Sequence, residues 1–311
     1  MYIEKRKANG KVRYYLGHSF REEGKVHKIR KFLGSDLDEK TLKDREEKAK
    51  ILILEEIEKY NIIKDPLKFE PSLDEINYLK RLENQIPFKI NHLSQSDWKI
   101  FSELFTYNTN AIEGSELNSK EVRDILEEDK WPDKSKEDIA ETYGVNGAID
   151  FIRKTKEIIS LDLILNLHKI VFRNSKNFAG QFRKPGEEVV VMASGGRVVH
   201  EGAPQPRIVG LLRELIDWYE QNKKKYPGIV LAAVVHNQFE NIHPFRDGNG
   251  RVGRILLNNI LLKNNLPPLN IDLMNRQEYY AALQEYEKRH NLKPMIELII
   301  KEYNDFKRII K

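Results

Sequence analysis

The sequence predicts a mainly α-helical protein that begins with a small β-meander. Three observations support this fold class. The first 34 residues alternate β-branched, aromatic and polar side chains between turn residues, a pattern typical of short strands. From about Ser72 onward, almost every strongly periodic segment has helical spacing. The exception is the segment 187–204, in which two β-branched runs flank a Ser-Gly-Gly turn and predict a hairpin.

The N-terminal meander is strongly basic. The predicted strands cover residues 2–7, 11–20 and 25–34. Asn9-Gly10 predicts the first turn and residues 22–24 the second. Residues 1–34 contain ten Lys or Arg against three Glu, an excess of seven positive charges. This excess favours a docking surface for nucleic acid or an acidic protein, or else a solvated sheet face whose lysines protect its edges.

A long helix is predicted to follow Ser35. The segment 36–61 is rich in helix formers, starts with acidic residues and ends before the helix-breaking Pro66 and Pro71. Its apolar residues near helical spacing are Leu42, Ile51, Leu52, Leu54 and Ile57. We therefore expect three parts: a meander in residues 1–34 that forms a docking module, a helical connector in 35–92 and a main domain in 93–311.

The composition limits the functional classes. With 40% hydrophobic and 32% charged residues in 311, the chain has the balance of a soluble globular protein. We expect a cytoplasmic protein with no membrane partner, because no apolar run has the length of a membrane span and the N-terminus lacks a signal peptide. The absence of cysteine excludes disulfides, thiolate metal sites and cysteine nucleophiles.

One loop between two predicted helices has the features of an anion site. Residues 229–241 predict an apolar helix, and the loop 242–251 leads into a second helix. Gly248, Asn249 and Gly250 allow left-handed backbone conformations in which several N–H groups converge. The dipole of the second helix adds to this positive field, so the loop predicts an anion nest.

Charged side chains surround this predicted nest. Arg251 and Arg254 are three residues apart in the first helical turn, so both side chains are expected to face one anion, such as a polyphosphate. Asp247 is an oxygen ligand suited to Mg²⁺ bound with substrate phosphates. His243 is the candidate general base, and Phe245 is expected to anchor the loop in the core. The loop therefore predicts a site for a nucleoside triphosphate with Mg²⁺.

The string HPFRDGNGRVGR resembles the signature of the Fic family, H-x-F-x-[D/E]-G-N-G-R-x-x-R, and matches each of its fixed positions. The resemblance extends over roughly Leu93 to Leu298 and leaves the meander outside it. It includes Leu167-His168 and the segment from Asn275-Arg276 to Tyr279-Tyr280. It implies a Fic-type helical core that generally transfers AMP from ATP to a Ser, Thr or Tyr hydroxyl of a protein.

The resemblance also implies roles for single residues. His243 deprotonates the attacking hydroxyl and Asp247 holds Mg²⁺. The residues implied to bind the ATP phosphates are Gly248, Asn249, Gly250, Arg251 and Arg254. The residues implied for the nucleobase side are Asn275, Tyr279, Tyr280 and Leu283, although both tyrosines also fit a core or an interface. The intact GNGR favours AMP transfer, while UMP and GMP stay open.

The predicted hairpin resembles the flap with which the family aligns a target segment by strand addition. The flap residues are Val189, Val190, Val191, Val198 and Val199. Because main-chain pairing aligns varied targets, the protein itself is one candidate target. A homodimer is a further expected partner.

Thr109, Glu113 and Gly114 resemble the inhibitory motif [S/T]-x-x-x-E-[G/N] of self-inhibited Fic proteins. The inhibitory helix is then expected near residues 98–113. A bidentate pair between Glu113 and Arg254 would keep this arginine from the ATP γ-phosphate. The alternative is that Glu113 only ends a helix and meets solvent. In some related proteins the same glutamate orients a water that removes AMP, so the reverse reaction is also open.

Two other functions remain open. A metal-dependent phosphohydrolase would use His236, His243 and Asp247 on a metal. A non-enzymatic module would bind nucleic acid or protein through the basic meander and use the helical core as a nucleotide sensor. Transition-metal binding would favour the first of these functions. Salt-dependent DNA binding would support a role for the meander.

Overall fold

The computed structural model describes residues 1–8, 10–22, 25–64, 66–67, 71–187, 190–192 and 198–310. The chain divides into two compact units, Met1–Ile62 and Ile63–Lys311. The first contains an antiparallel sheet and the second is mainly helical, so the predicted fold class is confirmed. The three-part division after residues 34 and 92 stays a prediction.

The first unit contains the predicted meander. Its strands are β1 (Tyr2–Ala8), β2 (Lys11–Glu22) and β3 (Lys25–Ser35), in the order β1-β2-β3. Gly10 has a φ of 74°, which fits the predicted tight turn, while Asn9 and the turn residues Glu23 and Gly24 lie outside the described residues.

Helix α1 (Glu39–Lys64) supplies the other half of this unit's core. The buried core residues are Leu16, Ile29, Leu33, Ala49 and Ile53. The predicted apolar positions Leu42 and Ile57 pack against them. By contrast, Ile51, Leu52 and Leu54 are exposed, because the 3.6-residue period turns Ala49 and Ile53 toward the core and these three away from it.

The second unit consists of ten further helices and one hairpin among the described residues. The first five of these helices are α2 (Leu73–Asn84), α3 (Gln95–Ile112), α4 (Ser119–Glu128), α5 (Lys136–Lys154) and α6 (Leu161–Phe172). The others are α7 (Ile208–Asn222), α8 (Gly228–Ile242), α9 (Asn249–Lys263), α10 (Arg276–Arg289) and α11 (Lys293–Lys307). Short 3-10 turns occupy Ile90–His92, Gln205–Arg207 and Leu273–Asn275.

Helix α8 lies at the centre of this unit. It packs against α7, α9, α10 and α11. All its residues from Gly228 to Phe239 are buried, as expected for a helix that is apolar on nearly every side. Within the described ranges, no helix is both long enough and apolar enough to cross a membrane.

Helix α3 has clear boundary signals. Its first turn has a capping box, in which Ser94 Oγ accepts from the Asp97 N–H and Asp97 Oδ2 accepts from the Ser94 N–H. Its last turn is followed by Glu113 as the C-cap and by Gly114 at a φ of 97°. Because glycine adopts this conformation without a Cβ clash, Gly114 ends the helix and fixes the position of Glu113.

The predicted hairpin is present as the strands β4 (Val190–Met192) and β5 (Val198–Glu201), while its role as a flap stays a prediction. Val190 pairs with Glu201 and Val191 with His200, and the register shifts between Val191 and Met192. The predicted flap residues Val198 and Val199 lie in β5. Val189 and the Ser194-Gly195-Gly196 turn lie outside the described residues.

Candidate active site

His243 ends helix α8 in the left-handed conformation, with a φ of 51° and a ψ of 60°. Its N–H still donates to Phe239 O at 3.0 Å, which closes the last helical turn. Pro244 follows, and it cannot donate a further helical hydrogen bond. The chain therefore leaves α8 at the predicted base and enters the loop that leads to α9.

The imidazole of His243 is held in one tautomer. Its Nδ1 lies 3.2 Å from Glu240 O. Because a carbonyl oxygen only accepts hydrogen bonds, Nδ1 carries the proton and donates. Nε2 is therefore the ring nitrogen with the lone pair, as general-base catalysis requires. The side chain is half-buried, so the ring borders both the core and the surface.

Arg183 fixes the backbone around His243, and sequence reasoning did not identify it. Its guanidinium is almost completely buried. Nε donates to His243 O at 2.9 Å, Nη1 donates to Glu187 O at 3.2 Å and Nη2 donates to Ala203 O. The Arg183 N–H also donates to Pro244 O at 3.0 Å. The Arg183 side chain thus joins the segments before and after the hairpin, at Glu187 and Ala203, to the backbone of the predicted base.

Phe245 anchors the loop as expected, since it is fully buried. The His168 ring stacks on it, with centroids 3.9 Å apart. His168 Nδ1 accepts from the Gly180 N–H at 2.8 Å, so Nε2 carries the proton and donates to Asp247 O at 3.2 Å. Burial lowers the pKa of His168 to about 4, so it is neutral at physiological pH and acts as a fixed two-ended link.

The glycine-rich turn is packed tightly. Gly248 has a φ of 82°, and a Cβ there would overlap the ring of Phe172. The Asn249 side chain is directed inward: its Oδ1 accepts from Phe245 N at 2.8 Å and its Nδ2 donates to Phe245 O at 2.9 Å. Both the oxygen and the nitrogen of this amide are already hydrogen-bonded. The phosphate contact predicted for Asn249 would therefore use its backbone N–H at the start of α9.

Asp247 and Arg251 belong to a mixed charge cluster. Arg251 Nη1 forms an ion pair with the buried Glu141, and its Nη2 lies 3.5 Å from Asp247 Oδ1. Lys176 Nζ lies 3.8 Å from Asp247 Oδ2. The side chain of Asp247 is 45% exposed, so its carboxylate fits a Mg²⁺ ion that is bound by one carboxylate together with substrate phosphates.

Arg254 has different surroundings from Arg251, although both begin α9. Its side chain is only 2% exposed, and Nη2 lies 2.7 Å from Glu113 Oε1. Nε donates to Thr109 Oγ1 at 2.7 Å, and Nη1 donates to Tyr279 OH at 3.4 Å. The pair with Glu113 therefore uses one nitrogen and one oxygen. The expected bidentate pair is a misprediction, because Thr109 takes the Nε proton.

Glu113 both ends its helix and contacts the predicted site. Besides its ion pair with Arg254, its carboxylate lies directly over Gly250, where a Cβ would overlap Oε1. This position is in the first turn of α9, where the helix dipole favours negative charge. Glu113 thus brings a negative charge to the place predicted for the phosphates.

Behind Arg254 lies a second group of buried polar residues. His236 is fully buried, its Nε2 lies 2.9 Å from Tyr279 OH, and burial together with the Arg254 charge lowers its pKa to about 3. Burial also raises the pKa of Glu240 to about 8, against the attraction of Arg254. Among the described residues, no donor reaches Glu240 Oε1, and no group of three or more His, Cys, Asp or Glu could hold a metal ion.

The predicted nucleobase residues have three different environments. Tyr279 is a buried core residue. Tyr280 is partly exposed and its OH donates to the carbonyl of the last residue of α3 at 3.3 Å, whereas Leu283 is half-buried. Asn275 lies at the start of α10, where Nδ2 donates to Glu302 Oε1 at 2.9 Å and Oδ1 accepts from Lys301 Nζ at 3.0 Å.

Residues 158–261 match the model of the Fic/DOC family. The chain contains a Fic/DOC family domain. Protein adenylyltransferase fic-1 from Caenorhabditis elegans is 32% identical over 206 residues, which cover 64% of this chain and 39% of that protein. Probable protein adenylyltransferase aq_aa38 from Aquifex aeolicus is 37% identical over 134 residues, 43% of this chain and 38% of that protein.

The Fic fold is also evident from solved structures. A structure of Fic-1 from C. elegans superposes with a TM-score of 0.61 and 26% identity, over 88% of this chain and 77% of that chain. The protein therefore has the mainly helical Fic fold, with a small three-stranded sheet at its N-terminus. It spans about two fifths of the length of the curated relatives, as the 39% coverage shows.

Proposed function

We propose that the Fic domain transfers AMP from ATP to a hydroxyl group of a protein. The observation that carries this proposal is the position of His243. Its Nδ1–H donates to Glu240 O, so Nε2 is set up to accept a proton beside the glycine-rich start of α9. The names of the two curated relatives, a protein adenylyltransferase and a probable protein adenylyltransferase, support the same reaction.

In the proposed step, His243 Nε2 takes the proton of a Ser, Thr or Tyr hydroxyl. The hydroxyl oxygen forms a bond to the α-phosphorus of ATP, and the bond from this phosphorus to the bridging oxygen breaks. Pyrophosphate leaves with the electron pair, and AMP remains on the protein. Arg183 has a positioning role, because it holds the His243 carbonyl and the flap connection in one arrangement.

The residues present fit ATP with Mg²⁺. Asp247 would hold the ion through its exposed carboxylate, and the ion would neutralise phosphate charge. The backbone N–H groups of Gly248, Asn249 and Gly250 would bind phosphate oxygens at the N-terminus of α9. The proposed site for the γ-phosphate is Arg254, which is the cation closest to Glu113.

We also propose that Glu113 inhibits the domain. Arg254 is engaged by Glu113 Oε1 and by Thr109 Oγ1, so it is not available to a γ-phosphate. The Glu113 carboxylate over Gly250 would also repel that phosphate. ATP would then bind, if at all, in a pose in which the α-phosphorus is not aligned with the attacking hydroxyl.

The test uses wild type, Glu113→Gly and the double variant Glu113→Gly with His243→Ala. Each protein is incubated with Mg²⁺ and ATP labelled on the α-phosphate, followed by intact-protein mass and labelling of lysate proteins. Glu116→Gly is the matched control, because it removes a largely exposed carboxylate three residues away.

We expect strong AMP incorporation with Glu113→Gly, weak incorporation with wild type and Glu116→Gly, and none with the double variant. Equal labelling by wild type and Glu113→Gly would refute the inhibition. Labelling that persists without His243 would refute the base. Label from the γ-phosphate in place of the α-phosphate would show phosphorylation and overturn the proposed reaction.

A further inference from the structure

The N-terminal sheet has two chemically different faces. One face carries the core that α1 completes. Because side chains alternate along a strand, the other face is defined by the pairing register. Four of its rows across the sheet are Ser19 with Lys28, Tyr2 with Gly17 and Arg30, Glu4 with Tyr15 and Phe32, and Arg6 with Arg13.

Aromatic rings lie open on this second face. Phe32 is 58% exposed and Tyr2 is 44% exposed. The Tyr2 ring lies flat on Gly17, where a Cβ would come within 2.8 Å of the ring. The Tyr15 ring lies 5.2 Å from that of Phe32. Exposed rings in adjacent rows form an apolar patch of the kind that is typical of surfaces that bind a partner.

Cations flank these rings. The guanidinium groups of Arg6 and Arg30 lie 5.7 and 5.9 Å from the Tyr15 ring centroid. Glu4 Oε1 accepts a hydrogen bond from Arg6 Nε at 2.8 Å, and Glu4 Oε2 forms an ion pair with Arg30, 2.9 Å from its Nε. This carboxylate holds the two arginines beside the ring and cancels one of their charges.

Two further cations extend the positive charge along the face. Lys28 Nζ lies 5.7 Å from the centroid of the Tyr2 ring, and Arg13 is exposed at the opposite end. Within these four rows, Arg6, Arg13, Lys28 and Arg30 are four cations that face one carboxylate. At about 6.7 Å between rows, they span about 20 Å, enough for several nucleotides of a single strand.

We propose that this face binds single-stranded nucleic acid. Its residues, called the aromatic-basic face, are Tyr2, Arg6, Arg13, Tyr15, Lys28, Arg30 and Phe32. Bases stack on the open rings of Tyr2 and Phe32, while the cations contact phosphates, as in other single-strand binding surfaces. A duplex hides its bases within its own stack and cannot use the rings. An acidic protein would use the cations and leave the rings without a role.

Binding is measured with the full-length protein by fluorescence anisotropy. The probes are labelled DNA and RNA single strands of about 20 nucleotides and the matching DNA duplex. Four phosphate contacts on a single strand predict a slope of about −3 for log affinity against log salt. The affinity should therefore fall roughly 50-fold between about 50 and 200 mM salt.

Variants separate stacking from charge. Phe32→Ala should weaken single-strand binding about fivefold or more, because it removes one stacking ring. Arg6→Gln should weaken it and reduce the salt slope by about 0.7. Lys5→Gln is the matched control, because it removes the same charge from the residue just before Arg6 in β1. The Lys5 side chain lies over Tyr14 on the other face of the sheet. Lys5→Gln should leave binding unchanged.

Several results would overturn the proposal. These are no anisotropy change at low salt, tighter binding of the duplex with no effect of Phe32→Ala, or an equal loss from Lys5→Gln and Arg6→Gln. Poly-glutamate of matched charge is the competitor that represents an acidic protein. If poly-glutamate displaces the strand as efficiently as unlabelled oligonucleotide does, charge alone explains the binding and the aromatic rings do not contribute to it. Failure of poly-glutamate to compete supports the proposal. Neither outcome depends on AMP transfer.

Discussion

Glu240 should make the stability of the domain depend on pH. Burial raises the pKa of this carboxyl from 4.5 to about 8. The group lies behind Arg254, with its Oε1 4.0 Å from His236 Nδ1 and without a hydrogen-bond donor among the described residues. The charge of Glu113 raises the pKa of Glu240 further, whereas the charge of Arg254 lowers it.

The sign of the effect follows from proton binding. Between pH 4.5 and about 8, the folded protein keeps a proton on Glu240 that the unfolded chain has released. The stability that the protonated Glu240 contributes is therefore complete below pH 4.5 and is lost as the pH rises through about 8. A shift of about 3.5 pKa units corresponds to at most about 5 kcal/mol, since each unit is worth about 1.4 kcal/mol.

The perturbation is Glu240→Gln, which keeps the shape of the protonated carboxyl and cannot ionise. Urea unfolding of wild type and variant should be measured at about pH 5 and about pH 9. We expect similar stability at the lower pH, and a variant that is more stable by several kcal/mol at the higher pH. Glu302, whose pKa burial raises to about 7, affects both proteins equally and cancels in the difference.

One further comparison tests the coupling between Glu240 and the proposed inhibitory residue Glu113. In Glu113→Gly, the repulsion between the two carboxylates is gone, so the advantage of Glu240→Gln at high pH should shrink. If wild type and Glu240→Gln lose stability in parallel from about pH 5 to about pH 9, Glu240 is not a buried acid and the reasoning is wrong.

Three other substitutions test the site. Gly248→Ala should destabilise the protein by about 2–5 kcal/mol in urea unfolding, since it adds left-handed strain and an overpacked Cβ; a loss below about 1 kcal/mol would contradict the packing. Arg183→Lys should lower kcat about tenfold or more in the Glu113→Gly background, with little change in KM for ATP. The single ammonium nitrogen of lysine cannot replace the three guanidinium nitrogens that bind three separate carbonyls, so His243 shifts; a change in KM alone would argue against a positioning role. Glu141→Gln should cost about 1–3 kcal/mol of stability, because it removes the buried carboxylate partner of Arg251 and leaves only the half-exposed Asp247 beside that charge; an unchanged unfolding midpoint would contradict this.

The sequence predicted what is local along the chain. The predicted base, metal ligand, glycine-rich turn and arginines lie within twelve consecutive residues, 243–254, so a single motif identified them. The meander and the flap followed from turn residues between β-branched runs. Glu113 was found through the resemblance of Thr109, Glu113 and Gly114 to the inhibitory motif of self-inhibited Fic proteins.

Contacts between distant segments were not predictable where no family motif connects them, as one does for Glu113 and Arg254. Arg183 lies sixty residues before His243, and no periodicity connects the two. Glu141 reaches Arg251 from α5 in the same way. Glu240 did leave a signal, since it is a carboxylate in an otherwise apolar helix, and such groups are seldom buried without a reason. The exposed Ile51 shows the opposite error, in which hydrophobic character was taken for burial.

The left-handed backbone of His243 also governs how an inactive form of this protein should be made. Because the residue that is proposed to move the proton also turns the chain out of α8, its replacement tests two properties at once. Alanine removes the ring and disfavours the turn, whereas asparagine tolerates this conformation best among non-glycine residues. His243→Asn is thus the substitution expected to trap nucleotide and target on an intact fold.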